Sequence, residues 1–478
     1  MSSQEVLETL TNKSVLSFSS MRLWPLHTEM ELAIMDYLSK NKNRVTMLVC
    51  NKAFKICKLN QDSDVRKCDG CISYSNATFQ KISHRIKKLD FIFETIETAY
   101  NNLGLSFPTV NDIDQLTQLK YKNFECGKAI YSTLIDYYTK DLDVTKPSIF
   151  AKIQMYYVLS ICFYESVTEL IKTGKYDYGL VFNGRHPYEA AFIQAFKDLN
   201  LDYATHERGT SPLKIGLFPN RLPHHWKNDA RNALNDKSDI YSRKDIEDIR
   251  NYLDHPLRSM PGVSFTNMQK KGEFIPETSK QIITLFLSTE DENVSIQDQE
   301  MSPKFSQVIS RLILNFQLKD FDKYLLIIRD HPNSAFNLQE ETYKNLSSPF
   351  DNVLYFSPTS SIDTYECMKK SELVITLGSA TGLEAMNLGK KVVCLIDYSL
   401  YSANLPGVLL YQPITDDPNK LLEFINSIVP EERIRESAYR FVASLMSNDI
   451  SIKGWQPYLG GSKKEYELDS KYILQENY

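Results

Sequence analysis

The amino-acid sequence predicts an α/β protein of two Rossmann-like domains, the first carrying a helical insertion. Three observations predict it. Solid apolar runs rich in Val, Ile and Leu recur, which suits strands buried on both faces of a parallel sheet. These runs alternate with stretches of helical spacing, the βα order that builds parallel sheets. They fall into two sets, with a stretch at 211–276 between them that holds Pro212, Pro219, Pro223, Pro256 and Pro261. A chain of 478 residues has room for two or three such domains. The expected boundaries are an N-terminal domain over 1–215 with its insertion at about 74–172, a linker over 216–276, a C-terminal domain over 277–430, and a helix with a tail over 431–478.

In the first set, Ser14–Phe18 reads as a strand, His27–Leu38 as a helix and Arg44–Cys50 as a second strand. Helical stretches are expected at Phe79–Tyr100, Asp112–Tyr138 and Ser148–Ile171. Strand Tyr178–Phe182 then leads into Asn183-Gly184-Arg185-His186-Pro187, a helix runs over Tyr188–Leu199, and strand Leu201–Thr205 ends in His206-Glu207-Arg208-Gly209. Two polar loops thus leave consecutive strands at their carboxyl ends, the edge where open sheets collect ligands. The adjacent His224 and His225 with Trp226 read as packing between domains, because adjacent side chains on a regular element do not face one ligand.

The second set has strands at Ile282–Leu287, Tyr324–Ile328, Asn352–Phe356 and Leu373–Leu377, and a helix at Phe305–Phe316. After Leu377 comes Gly378-Ser379-Ala380-Thr381-Gly382-Leu383-Glu384-Ala385, a glycine turn into a short helix that stops at Gly389 before strand Val392–Ile396. A helix N-terminus at the carboxyl end of a parallel strand suits phosphate. The same residues also admit a local reading, with Thr381 and Glu384 at capping-box spacing.

Bulk numbers narrow the classes. A net charge of −5 and a pI near 6.0 argue against a general nucleic-acid binder. No apolar run reaches the roughly 18 residues that span a bilayer, and the start of the chain lacks a signal-peptide pattern. A cytoplasmic protein is the expectation. Eight cysteines in so long a chain do not suggest a disulfide framework. Cys50, Cys57, Cys68 and Cys71 are close enough in sequence to suggest a zinc or iron–sulfur site. Reduced structural cysteines are the competing reading and the one expected here, so no metal is assigned.

The strand-end loops of the second set supply Ser288, Thr289, Glu290, Arg329, His331, Ser360, Gly378, Ser379 and Thr381. Short hydroxyls, a helix start, an Arg and a His make an anion site. Pro332 holds His331 in extended geometry. There is no Walker loop, no G-x-G-x-x-G, no G-x-S-x-G elbow and no zinc-protease motif.

Arg329-Asp330-His331-Pro332, then Gly378–Ala385, then Gly389-Lys390-Lys391-Val392-Val393 resemble GT-B glycosyltransferases of bacterial capsule and surface-polysaccharide synthesis. The Kdo-transferase-like capsule proteins are the nearer match and the bacterial sialyltransferases the more distant. Trp24-Pro25-Leu26-His27, the cysteine segment, Asn183-Gly184-Arg185 and His206-Glu207-Arg208-Gly209 extend the resemblance to the first half. It implies two domains facing across a cleft, with the acceptor bound by the first and a nucleotide sugar by the second. It implies transfer of a sugar from a CMP-linked donor, such as CMP-Kdo or CMP-sialic acid, to a growing surface glycan. His331 would contact the nucleotide phosphate with Arg329, Ser379 and Thr381, and Glu384 would hold the ribose. Glu207 would be the catalytic carboxylate, a base under inversion or a nucleophile under retention; a salt bridge to Arg208 or Arg185 is its competing role. Asn183, Arg185, His206 and Arg208 would line the acceptor side.

No cofactor is required if basic residues do the charge work, and Mg²⁺ on Glu290-Asp291-Glu292 is the less favoured reading. The implied partners are a nucleotide-sugar donor and a glycan or glycolipid acceptor, with peripheral contact at the inner face of the membrane where the acceptor is lipid-linked. Two departures stand out. A single acid, Glu207, precedes Gly209 where the sialyltransferases carry an acidic pair, and Lys390-Lys391 replaces a usual proline. The alternatives are a CDP-glycerol-type phosphotransferase, a UDP-sugar 2-epimerase and a non-catalytic scaffold.

Overall fold

The computed structural model describes residues 3–138 apart from 81 and 83, 142–209, 215–223, four positions between 247 and 253, 269–274, 277–288, 305–332, 339–379, 381–395, 405–446 and 449–450. These form two units, each built on its own parallel sheet.

The first unit begins with helix α1 (Ser3–Thr9), strand β1 (Ser14–Ser19), helix α2 (Pro25–Lys40) and strand β2 (Arg44–Cys50). Pro25 stands at the first turn of α2, where its missing N–H costs nothing. Helix α3 (Val65–Phe79) is capped by Asp64, whose side chain accepts from the Arg66 N–H. It leads to strand β3 (Lys87–Phe91). Helices α4 (Phe93–Leu103), α5 (Ile113–Thr117), α6 (Cys126–Tyr138) and α7 (Pro147–Gly174) form the helical insertion. Strand β4 (Tyr178–Phe182), helix α8 (Pro187–Asp198), and strands β5 (Asp202–Arg208) and β6 (Ile215–Pro219) follow.

The sheet order is β6-β5-β4-β1-β2-β3, with a two-residue strand Asp449–Ile450 outside β6. From β3 to β5 every pairing is parallel, and β6 runs antiparallel to β5. From β1 the chain steps outward to β2 and β3, then returns to the other side at β4. The switch point therefore lies between β1 and β4. Strand alternation sends Val15, Val45 and Met47 to a core with Met30, Ile34 and Leu38 of α2. Phe18 packs on the opposite face with Phe163 of α7 and Phe192 of α8, at ring separations of 4.6 and 5.8 Å.

The second unit holds strands β7 (Gln281–Phe286), β8 (Tyr324–Arg329), β9 (Val353–Phe356), β10 (Leu373–Thr376), β11 (Lys391–Cys394) and β12 (Val408–Leu410). Helices α9 (Phe305–Asn315), α10 (Gln339–Ser347), α11 (Thr364–Lys370), α12 (Thr381–Asn387), α13 (Pro418–Asn426) and α14 (Glu431–Met446) surround them. The order is β12-β11-β10-β7-β8-β9 and every pairing is parallel. Here the switch point lies between β7 and β10. Register aligns Thr376, Phe286, Arg329 and Phe356 in one row across four strands, so the loops after them leave along one edge.

Three elements differ from expectation. β3 interrupts the stretch expected to be helical: it is an edge strand, largely unburied, so it lacks the apolar signature. β5 continues through Arg208, so His206 and Glu207 are strand residues, paired with Leu217 and Gly216 of β6. β6 lies inside the stretch read as linker, where Gly216 and Pro219 hide it. Lys391, one of the two lysines standing where a proline is usual, donates Nζ to the carbonyls of Phe424, Ile425 and Ser427 at 3.0, 2.5 and 2.8 Å, closing the carboxyl end of α13.

Candidate functional site

In the first unit the strand ends at the switch point gather charge in a buried setting. Glu207 lies at the end of β5. Its Oε2 accepts from Asn183 Nδ2 at 2.8 Å, and its Oε1 stands 3.6 Å from His27 Nδ1. Asn183 can do this because the chain leaves β4 in the left-handed region, with Asn183 at φ 55° and Gly184 at φ 91°. His27 comes from the first turn of α2, its ring 4.1 Å from Phe182 and 5.0 Å from Trp24.

The other expected acceptor residues divide. Arg185 pairs with Asp136 at 3.1 Å, so the salt bridge envisaged between Arg185 and Glu207 is not formed. His206 is 0% exposed, and neither ring nitrogen has a hydrogen-bond partner. Burial, reinforced by His27 and Arg22, pushes its pKa down to about 3. It is a neutral core residue and not a group at the ligand surface, because β5 runs on past it into pairing with β6. The Arg208 side chain, Thr289, Glu290–Glu292, Ala380, the His224–Trp226 segment and the tail over 455–478 lie outside the described residues.

Sequence reasoning missed the charges behind Glu207. Arg22, in the loop after β1, is buried and pairs with Glu31 of α2, Nη2 to Oε2 at 3.2 Å. Ser17 Oγ donates to the other Glu31 oxygen. Glu189 of α8 accepts the N–H and the hydroxyl of Ser20 through Oε1, at 2.9 and 2.7 Å, while its buried Oε2 has no hydrogen-bond partner. Burial raises its pKa to about 7. A signal existed: the positions three and four residues after each carboxylate are apolar, Phe192 and Ile193 for Glu189, Ile34 and Met35 for Glu31. A carboxylate on an apolar helical face is a buried one.

Among the described residues, the corresponding edge of the second unit carries little exposed charge. Arg329 is buried, and its guanidinium donates to the carbonyls of Asp330 and Ser357 through Nη1, at 3.1 and 2.6 Å, and of Ser360 through Nη2, at 3.3 Å. Expected on phosphate, it ties the loops after β8 and β9 together instead. A buried cation this close to three carbonyls is held by them. Asp330 accepts the His331 N–H through Oδ1 and the Tyr355 hydroxyl through Oδ2, both at 2.7 Å. This fixes the start of the His-Pro loop. Burial pushes the His331 imidazole down to about 4, so at neutral pH it offers a hydrogen bond and no charge.

Gly378 turns the chain at φ 100°. The N–H groups of Gly378 and Ser379 both donate to Thr376 Oγ1, at 3.2 and 3.0 Å, and the Thr381 N–H donates to Ser379 Oγ at 3.3 Å. The helix start is therefore capped from within, by Ser379, and Thr381 is not the N-cap a capping box with Glu384 needs. The Ser379 and Thr381 hydroxyls bond each other at 3.0 Å. Glu384 is half-buried in the first turn of α12. Ser288 Oγ, just past β7 at the switch point, is buried without a hydrogen-bond partner, and Ser360 Oγ accepts the Ile362 N–H at 3.4 Å. The edge thus carries hydroxyls and a neutral imidazole in the order Ser379, Ser288, His331, Ser360 across β10, β7, β8 and β9.

No protein-family model and no curated protein matches the chain. Solved structures similar in outline include a β-Kdo 2,7 transferase from Thermosulfurimonas dismutans, 13% identical over 60% of this chain and 86% of that one, with a TM-score of 0.35. A UDP-GlcNAc 2-epimerase from Neisseria meningitidis, bound to UDP-GlcNAc, is 17% identical over 72% of this chain and 91% of its own, TM-score 0.32. The calicheamicin glycosyltransferase CalG4 is 11% identical over 91% and 95%, TM-score 0.29. Likenesses at these levels assign no activity, and the two-sheet architecture rests on the strand pairings themselves.

Proposed function

We propose that the chain is a glycosyltransferase that moves a sugar from a nucleotide-activated donor to a glycan acceptor. The observation that carries this reading is Glu207, a carboxylate held by Asn183 and flanked by His27 at the carboxyl edge of a parallel sheet. In the proposed step the acceptor hydroxyl gives its proton to Glu207 as its oxygen bonds to the anomeric carbon. The bond from that carbon to the phosphate oxygen breaks, and the nucleotide leaves with the electron pair. The second unit takes the nucleotide. Ser288, Ser379 and Thr381 supply hydroxyls and His331 supplies an N–H to the phosphates, in an edge whose arginine is committed to main-chain carbonyls. The His-Pro loop is the feature that favours a CMP-linked donor, and the described residues of this edge offer neutral donors to stabilise the leaving group.

The test is mass spectrometry of products after incubation with CMP-, UDP- and CDP-linked donors and an oligosaccharide acceptor. A glycoside that is lost in His331→Ala, about 10²–10³ slower by the usual worth of one transition-state donor, supports the reading. A phosphodiester product, or an epimerised sugar formed without acceptor, would replace it with a phosphotransferase or an epimerase.

A further inference from the structure

The loop from β1 into α2 sets a tryptophan in an unusual place. Trp24 is the residue before the first turn of α2, in extended geometry at φ −100° and ψ 90°. Its carbonyl accepts the Thr28 N–H and its own N–H donates to the Met21 carbonyl, both at 3.1 Å. A helix start favours Ser, Thr, Asp or Asn, whose side-chain oxygen takes one of the unsatisfied N–H groups. An indole has no acceptor to give, and Trp24 makes no side-chain cap. Nor is the ring buried instead: Trp24 is 41% exposed and its neighbour Leu23 38%. Exposed apolar side chains scattered singly need no explanation. Here two stand in succession at the edge where β1 and β4 end, on a position that forgoes both capping and burial. A local rule broken with no compensating contact marks a functional position.

The surroundings of the ring define what it meets. Trp24 touches His27 at a ring separation of 5.0 Å and Phe182 at 6.1 Å, at steep angles of 68° and 78°. His27 stands against Glu207, and Phe182 precedes Asn183, which donates to Glu207. The side chains of His27 and Glu207 are themselves 15% and 25% exposed. An open indole and an open carboxylate thus share one edge, joined through a single imidazole. The face of an indole is electron-rich and attracts polarised C–H bonds, while a carboxylate accepts from hydroxyls. A pyranose offers both, with C–H groups clustered on a face of the ring and hydroxyls around its rim.

We propose that Trp24 is the stacking platform for the sugar ring that carries the acceptor hydroxyl, so that the acceptor is a pyranose with an unobstructed C–H face. The ring lies on the indole, and its rim turns a hydroxyl toward Glu207. This rests on the sugar-transfer reading and deepens it by naming the group that holds the acceptor.

The test is saturation-transfer NMR on the full chain with methyl β-glucoside, methyl β-galactoside and methyl N-acetyl-β-glucosaminide, without nucleotide. The expected result is saturation strongest on the C–H protons of one ring face for at least one glycoside, lost in Trp24→Ala. If Trp24→Ala fails to fold, Trp24→Phe replaces it, with saturation reduced on the smaller ring. In transfer assays Trp24→Ala should raise the acceptor KM about tenfold, the worth of one aromatic contact, with the nucleotide Kd unchanged. Two results overturn the proposal: no saturation of any of the three glycosides by the wild-type chain, or an undiminished pattern in the Trp24 variants. Saturation that requires Trp24 in a chain that transfers no sugar would remove the transferase reading and leave the sugar platform. Transfer with an unchanged acceptor KM in Trp24→Ala would do the reverse.

Discussion

The two units repeat one architecture and equip it differently. Both place their loops at the switch point of a parallel sheet, between β1 and β4 in the first and between β7 and β10 in the second. The first edge is dense with ionisable groups: Arg22 on Glu31 and Glu189 on Ser20, all buried, and Glu207, partly exposed, between Asn183 and His27. The second offers hydroxyls and an imidazole kept neutral by burial, with its arginine bound to carbonyls. Buried charges of unequal environment are what proton transfer needs, whereas neutral donors at a sheet edge suit binding a phosphate that carries its own charge. In the proposed reading, the same sheet plan separates chemistry from binding.

Substitutions can break this contrast, and the largest effect is expected at Arg22. Arg22→Met leaves Glu31 buried without its partner and should cost about 3–5 kcal/mol in denaturant unfolding. Replacing Glu31 by Met as well should restore most of the loss, because an uncompensated charge is worse than none. If the single variant is as stable as the wild-type chain, the first edge is not built on charge. In the second unit Arg329→Met should cost about 2–3 kcal/mol by leaving the Ser357 and Ser360 carbonyls without their charged donor. It should also loosen the His-Pro loop, seen as faster amide exchange at residues 329–331.

Much of this was legible in the sequence. The central strands were, because an unbroken apolar run such as Tyr324–Ile328 leaves few other readings once its length is short. So were the Gly378 turn and the Gly389 stop, which the structure places at φ 100° and 79°. β3 was not, since an edge strand with Lys87, Lys88 and Asp90 has no apolar face to announce it. The roles of Arg329 and His206 were not legible either. Whether a charged side chain meets a ligand or a carbonyl depends on which loop lies across from it, and that is a matter of strand order. Strand order joins β1 to β4 across 159 residues of chain, from Ser19 to Tyr178, and no local pattern carries it.

Smaller effects sharpen the contrast. Ser379→Ala with Thr381→Val should weaken nucleotide binding about tenfold in calorimetry by removing hydroxyl donors. Stability should stay within about 1 kcal/mol of wild type if Ser379's capping role is worth its usual amount. An unchanged affinity would remove these hydroxyls from the site.

The pH response should mark the first unit. Glu189 titrates near 4.5 when unfolded and about 7 when folded, so the folded state holds the extra proton between those values and stability falls as pH rises through that window. Glu189→Gln should therefore be the more stable chain at pH 8, with the gap closing by pH 4.5. His206 acts in the opposite sense. Its folded value of about 3 lies below the ordinary 6.5, so stability is lost as pH falls from 6.5 toward 3. His206→Phe should blunt that acid-side loss in chemical denaturation, and an unaltered acid profile would contradict the burial of an unpaired imidazole.

The division of labour is tested most directly by Glu207→Gln in the full chain, with nucleotide affinity and transfer rate measured on the same preparation. The account predicts an unchanged nucleotide Kd and a kcat lower by about 10²–10⁴, the usual worth of a general base. Full turnover in Glu207→Gln, or a loss of nucleotide affinity equal to the loss of rate, would contradict it.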